Sequence, residues 1–140
     1  MKDCEEDQKL SLSDEEWKSR LPKERYGVLR KKGTEPPFTG ELLSNRKEGV
    51  YACAGCGKEL FHHMTKFDSG SGWPSFFAPL SEGAVEERPD DSHMMQRTEV
   101  VCSRCGGHLG HVFEDGPPPT GLRYCINSLS LEFTEFDKRG

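Results

Sequence analysis

The six cysteines of this chain fall into three kinds by their spacing and neighbours. Four form two Cys-x-x-Cys pairs, Cys53/Cys56 and Cys102/Cys105, the spacing of a four-thiolate metal site. Cys4 lies in a polar N-terminal tail. Cys125 is left over, in the run Arg123-Tyr124-Cys125-Ile126-Asn127-Ser128. A thiol set apart from a metal cage and placed beside a cation is a candidate nucleophile, because the thiolate is the reactive form and positive charge favours it. On a strand, Arg123, Cys125 and Asn127 are alternate residues and share one face. That face is cationic, nucleophilic and hydrogen-bonding at once.

Each Cys-x-x-Cys unit follows a short β-prone segment and is followed by glycine, Gly57 or Gly106. This is a knuckle pattern, in which a tight turn aims two sulfurs at one ion and glycine relieves the turn. Two knuckles fill all four positions of a tetrahedral site, so the metal is structural, and zinc suits the ligand type. Two disulfides, or iron in the same cage, are the alternatives. His108 and His111 are separated by two residues among glycines, and glycine in a strand marks a close approach of ligand or backbone. Taken singly, either histidine, Trp73 or Phe76 could be structural, and Cys125 could be a buried apolar cysteine. Together, Cys, His, Arg and Asn are the parts of an activated thiol.

The elements that must position these groups are short. A chain of 140 residues with 33% hydrophobic and 31% charged residues supports one domain with an economical core. Its 15 glycines and 9 prolines favour a β-rich body with many turns. The net charge of −5 and the lack of a basic run disfavour a nucleic-acid partner. No stretch is apolar enough to span a bilayer, and the acidic N-terminus lacks the features of a signal or transit peptide, which points to a cytoplasmic, reducing compartment.

Residues 1–12 read as a flexible tail, and 13–136 as the folded domain. Ser13 and Glu16 form a capping box, with Leu12 and Trp17 as a hydrophobic staple. A second helix is expected from Pro22 to Lys32, capped by Gly33. Strands are expected at Gly49–Ala52, Glu59–Phe61, Thr98–Val101, His108–Phe113, Leu122–Ile126 and Leu129–Phe133. Ser81 to Gln96, polar and acidic, reads as a surface loop. Glu114 to Gly121 reads as a rigid turn. The two Cys-x-x-Cys units are the one internal repeat, and no linker divides the body.

The chain resembles the B-type methionine sulfoxide reductases, which reduce the R epimer. The resemblance runs over about residues 25 to 135, through Gly33-Thr34-Glu35-Pro36-Pro37-Phe38-Thr39-Gly40, both knuckles, Gly72-Trp73-Pro74-Ser75-Phe76, His108-Leu109-Gly110-His111-Val112-Phe113, Asp115-Gly116-Pro117 and the Cys125 run. It implies a mainly β fold of two antiparallel sheets with short N-terminal helices packed outside, stapled by a four-cysteine zinc site. It implies Cys125 as the nucleophile attacking the sulfoxide sulfur, and His111 with His108 supplying a proton to the leaving oxygen. Asn127 joins that network, and Arg123 holds thiolate charge. Trp73 and Phe113 form the substrate wall. The product is methionine and a Cys125 sulfenic acid. The substrate is a sulfoxide in a protein or peptide, and the electron donor is thioredoxin or another thiol.

One position departs from the common pattern. Many members carry a resolving cysteine where this chain has Ser71. Either Cys4 swings in from the tail to form a disulfide with Cys125, or an external thiol attacks the sulfenic acid directly. On residue chemistry alone, a zinc-stapled binding module and a Cys-His hydrolase compete with the reductase. The hydrolase lacks an evident oxyanion site, and the binding module has no need of Cys125 and its partners.

Overall fold

The computed structural model describes residues 12–91 and 96–136. Tail residues 1–11, including Cys4, lie outside the described residues, and so do 92–95 within the segment read as an acidic loop. Leu12, the last residue of the expected tail, is packed against the core.

Helix α1 spans Asp14–Arg20 and begins with the expected capping box. The Glu16 amide donates to Ser13 Oγ at 3.2 Å, and the Ser13 amide to Glu16 Oε1 at 2.8 Å. Such an N-cap contributes about 1 kcal/mol. Its one fully buried residue, Trp17, faces the knuckles: a Cβ on Gly55 would lie 3.3 Å from the indole. Helix α2 spans Lys23–Lys31, with Pro22 at its N-cap. The left-handed residue that closes it is Lys32 (φ 59), not Gly33. Gly33 instead donates its amide to the Gly27 carbonyl at 3.0 Å, so the stop comes one residue earlier than the glycine suggests. Arginines from α2 then clamp the body. Arg25 donates to the carbonyls of Leu129 and Leu131, and Arg30 to that of Cys105, each at 2.9 Å.

The strands are β1 (Gly49–Cys53), β2 (Glu59–His62), β3 (Lys66–Phe67), β4 (Ser75–Phe76), β5 (Val85–Asp90), β6 (Arg97–Cys102), β7 (His108–Phe113), β8 (Arg123–Ile126) and β9 (Leu131–Glu135). They form two antiparallel sheets, as expected. One has the order β2-β1-β9 and the other β3-β4-β8-β7-β6-β5. Aromatic side chains join them. Phe61 of β2 stacks on Phe76 of β4 with centroids 4.3 Å apart, and Tyr51 of β1 meets Phe76 edge-on at 5.1 Å. These rings, with Leu60, Val100, Leu109, Ile126 and Leu131, are almost fully buried.

Two expectations need correction. The segment read as a loop from Ser81 to Gln96 contains β5, fully paired in register with β6 from Val85↔Cys102 to Asp90↔Arg97. It is an edge strand, where solvated charges and a proline are tolerated, so Glu86, Glu87, Arg88 and Pro89 hide the pattern. The strand expected from Leu129 starts at Leu131, after a 3-10 turn over Ser128–Ser130. The Leu129 amide donates there to Glu35 Oε1 at 2.9 Å, and Ser130 Oγ to the His108 carbonyl at 2.9 Å.

Candidate active site and metal centre

The knuckles bring all four sulfurs of Cys53, Cys56, Cys102 and Cys105 within 4.8 Å of one another. Cys53 and Cys105 are 3.6 Å apart, and Cys56 and Cys102 3.5 Å. Sulfurs bound at ~2.3 Å to one tetrahedral ion would lie about 3.8 Å apart, so the cluster fits such an ion with little adjustment. The two turns are alike. The Gly57 amide donates to the Cys53 carbonyl at 2.8 Å and the Gly106 amide to that of Cys102 at 2.9 Å. Both glycines have positive φ, 84° and 75°, which only glycine adopts freely. The Cys53 and Cys105 thiols are held above the ordinary thiol range, first by sharing a proton with Cys102. A cation removes that constraint by letting all four ionise.

Cys125 lies on β8, between β4 and β7, with Ser75 and His111 as its register partners. His111 is three residues from His108, which on a regular strand would put the two on opposite faces. A bulge at Leu109 prevents this: Val100 pairs with Gly110 and Val101 with His108, leaving Leu109 extra. The imidazole centroids are consequently 5.6 Å apart. At Gly110, β7 packs tightly on β8, since a Cβ there would sit 2.0 Å from the Cys125 carbonyl oxygen.

A cavity of about 310 Å³ opens beside Cys125, lined among others by Ser71, Trp73, His111, Phe113, Arg123 and Asn127. Among the described residues expected from sequence to act on or bind the substrate, His108 alone does not line it. That ring is 3% exposed and hydrogen-bonds Glu99 Oε2 from Nδ1 at 2.8 Å. Burial outweighs the pull of Glu99 and holds His108 below the ordinary imidazole value. His111 Nε2 hydrogen-bonds Asp90 Oδ2 at 2.7 Å.

Arg123 donates to both carboxylate oxygens of Asp115, at 2.9 and 3.2 Å, and lies over the Phe113 ring at 4.4 Å. That pairing raises Arg123 and lowers Asp115 relative to their ordinary values. Arg123 favours the Cys125 thiolate, as expected, but does not win. Burial pushes the thiol above its ordinary value, against the opposing pull of Ser71 and Arg123. Ser71 Oγ is 3.7 Å from Cys125 Sγ, so the residue at the common resolving position does touch that thiol.

Asn127 is buried and bridges two segments. Its Oδ1 accepts from the Glu35 amide at 3.0 Å and its Nδ2 donates to the Leu109 carbonyl at 3.0 Å. Trp73 Nε1 donates to the Glu35 carbonyl at 2.9 Å. Glu35 thus holds the Trp73 indole and the Asn127 amide together, while Phe76, the other aromatic of that run, is core. The sequence reading missed Glu35, Asp90 and Arg97 as site residues. Glu35 sits in a motif that carries the family resemblance but for which no site role is expected. Asp90 and Arg97 sit in and beside the segment mistaken for a loop, and the signal that would have found them is their pairing across β5 and β6. Arg97 lines the cavity, and its buried Nε has no hydrogen-bond partner among the described residues.

Residues 21–135 match the family model described as the SelR domain. A peptide methionine sulfoxide reductase MsrB of Leptospira interrogans is 60% identical over 124 residues, 89% of this chain and 95% of the relative. One from Methanosarcina mazei is 59% identical over 132 residues, 94% of each chain. One from Pseudomonas putida is 55% identical over 129 residues, 92% of this chain and 98% of the relative.

Proposed function

This chain belongs to the MsrB family of peptide methionine sulfoxide reductases, and from that premise we propose that it reduces methionine-R-sulfoxide in peptides and proteins through Cys125. The observation that carries the reading is the cavity where the Cys125 thiol faces His111, Trp73, Phe113, Arg123 and Asn127. Cys125 attacks the sulfoxide sulfur, and its own sulfur supplies the two electrons. The S–O bond breaks as the oxygen takes a proton from His111. Methionine leaves, and the oxygen lost as water is matched by one returned to the cysteine as its sulfenic acid. Thiol plus sulfoxide thus becomes sulfenic acid plus thioether, with no net change in protons.

Trp73 and Phe113 contact the ε-methyl side of the substrate, and the polar side of the cavity reads the oxygen. This two-sided wall is what selects the R epimer. Residues 13–136 act as one catalytic domain. The cage takes one zinc ion, which staples β1 and β6 and takes no part in the reaction, because protein thiolates fill every position. A binding module built on the cage alone leaves the cavity without a use.

Regeneration uses a second thiol. Either Cys4 or an external thiol such as thioredoxin attacks the sulfenic acid, releasing water and forming a disulfide that a further thiol reduces. This chemistry suits a reducing, cytoplasmic compartment. Among the described residues, no helix is long and apolar enough to cross a membrane. The test is turnover of resolved R and S peptidyl methionine sulfoxide with dithiothreitol, comparing wild type with Cys125→Ser. R-only turnover lost in the variant supports the reading. Equal turnover of both epimers, or an active variant, overturns it.

A further inference from the structure

We propose that Asp90, backed by Arg97, is a positioning residue that holds His111 through Nε2–H and leaves Nδ1 as the ring atom exchanging a proton with the reacting oxygen. The inference rests on the reading of Cys125 and His111 as the reacting pair.

Asp90 closes β5 and Arg97 opens β6, and the two are register partners. One oxygen, Asp90 Oδ2, meets both His111 Nε2 at 2.7 Å and Arg97 Nη2 at 3.5 Å. The Asp90 side chain is only 5% exposed, so its carboxylate is fixed by its partners rather than by water. A carboxylate held this way accepts Nε2–H whether the ring is neutral or cationic. It orients the imidazole and fixes its tautomer, as the aspartate of a Ser-His-Asp triad does.

Two His-carboxylate couples lie side by side here, and they differ in access. His108 with Glu99 is closed off, with Lys32 Nζ 3.3 Å from the far side of that carboxylate. His111, whose Nε2 is bonded to Asp90, itself lines the cavity. The charged or titratable groups around the His111 ring are Asp90 on β5, Arg97 and Glu99 on β6, His108 on its own strand, and Arg123 and Cys125 on β8. Among these, Asp90 makes the direct hydrogen bond to Nε2. The proton that Nδ1 gives to the leaving oxygen is matched by the one the Cys125 thiol releases, so the imidazole ends as it began.

The test uses Asp90→Asn, which keeps the shape and removes the anion. For the R epimer, kcat should fall by at least about tenfold and by no more than the ~10²–10⁴-fold that a general acid contributes, with KM little changed. Asp90→Glu, which keeps the carboxylate, should recover part of the loss. Asp90→Asn combined with His111→Gln should be no slower than His111→Gln alone, since both act through one ring. Losses that multiply would overturn the proposal.

A second readout does not depend on turnover. Nitrogen-15 NMR of the wild-type His111 ring should show Nε2 protonated, and Asp90→Asn should move the ring toward the Nδ1–H tautomer. A wild-type ring mainly in the Nδ1–H form would overturn the proposal even if the variant does not fold. An active Cys125→Ser protein would instead sink the functional reading and leave the tautomer result standing.

Discussion

The four-cysteine cage and the Cys125 cavity use the same element chemistry for opposite ends. In the cage, four sulfurs converge within 4.8 Å, and each has others as neighbours. At Cys125 one sulfur stands apart from the others among the described residues, with a hydroxyl at 3.7 Å and an open cavity beside it. The cage gains from being closed, because a filled coordination shell excludes water and substrate. The cavity is open, which leaves room beside the Cys125 sulfur for a molecule to bind. The local backbone follows this division. Glycines with positive φ shape the knuckles, whereas Gly110 makes room for the backbone of β8.

Breaking the cage should have the largest effect. Chelation, or Cys105→Ser, should abolish the cooperative thermal transition and the near-ultraviolet circular dichroism, since structural zinc contributes on the order of 10 kcal/mol in small domains. An unchanged melting temperature would show that the cage does not support the fold.

Gly110→Ala should break the other side of the comparison. The added methyl would meet the Cys125 carbonyl oxygen at 2.0 Å, and backbone must move to admit it. Overpacking of this kind costs about 1–3 kcal/mol, and the shift carries Cys125 with it. Activity and melting temperature should fall together. A stable, fully active variant would mean that β7 and β8 are less tightly set than this contact implies.

Ser71→Cys should turn the lone thiol into half of a pair. With Ser71 Oγ already 3.7 Å from Cys125 Sγ, one equivalent of sulfoxide should yield a disulfide between the introduced thiol and Cys125, read by peptide mass mapping. Persistence of the sulfenic acid in that variant would mean that the loop cannot close the last distance.

The smallest effect concerns pH. Burial raises the Cys125 thiol above its ordinary value, so the group stays protonated until pH passes that raised value. Its alkylation by iodoacetamide should therefore climb with pH through a midpoint above the ordinary thiol range. Ser71→Ala and Arg123→Met each remove a group that favours the thiolate, and each should move the midpoint higher. A midpoint below the ordinary range would mean that Arg123 outweighs burial.

Much of this division was legible in the residues. The knuckles announce themselves through cysteine spacing and the following glycines, because one ion imposes one geometry. The face shared by Arg123, Cys125 and Asn127 follows from strand alternation. The pairing of His108 with His111 does not, because it depends on a bulge at Leu109 that the alternation rule contradicts. β5 escaped because an edge strand need bury little, and its run Glu86-Glu87-Arg88-Pro89 looks like solvated loop. With β5 went Asp90, whose contact with His111 spans 21 residues of sequence and arises only once β5, β6 and β7 are laid side by side. The sign of the Cys125 shift was also beyond sequence, since a flanking arginine is visible there and burial is not.

Single-turnover chemistry is the sharpest check on Cys125 as the reductant. Reduced, metal-loaded protein would be mixed with one equivalent of a peptide containing methionine-R-sulfoxide, without any reductant, and both the product and the intact protein would be weighed. The expected result is one methionine formed per chain, with one oxygen gained at Cys125 or its disulfide with Cys4 in its place. Methionine formed while Cys125 stays a free thiol, or no methionine from folded protein, would refute that role.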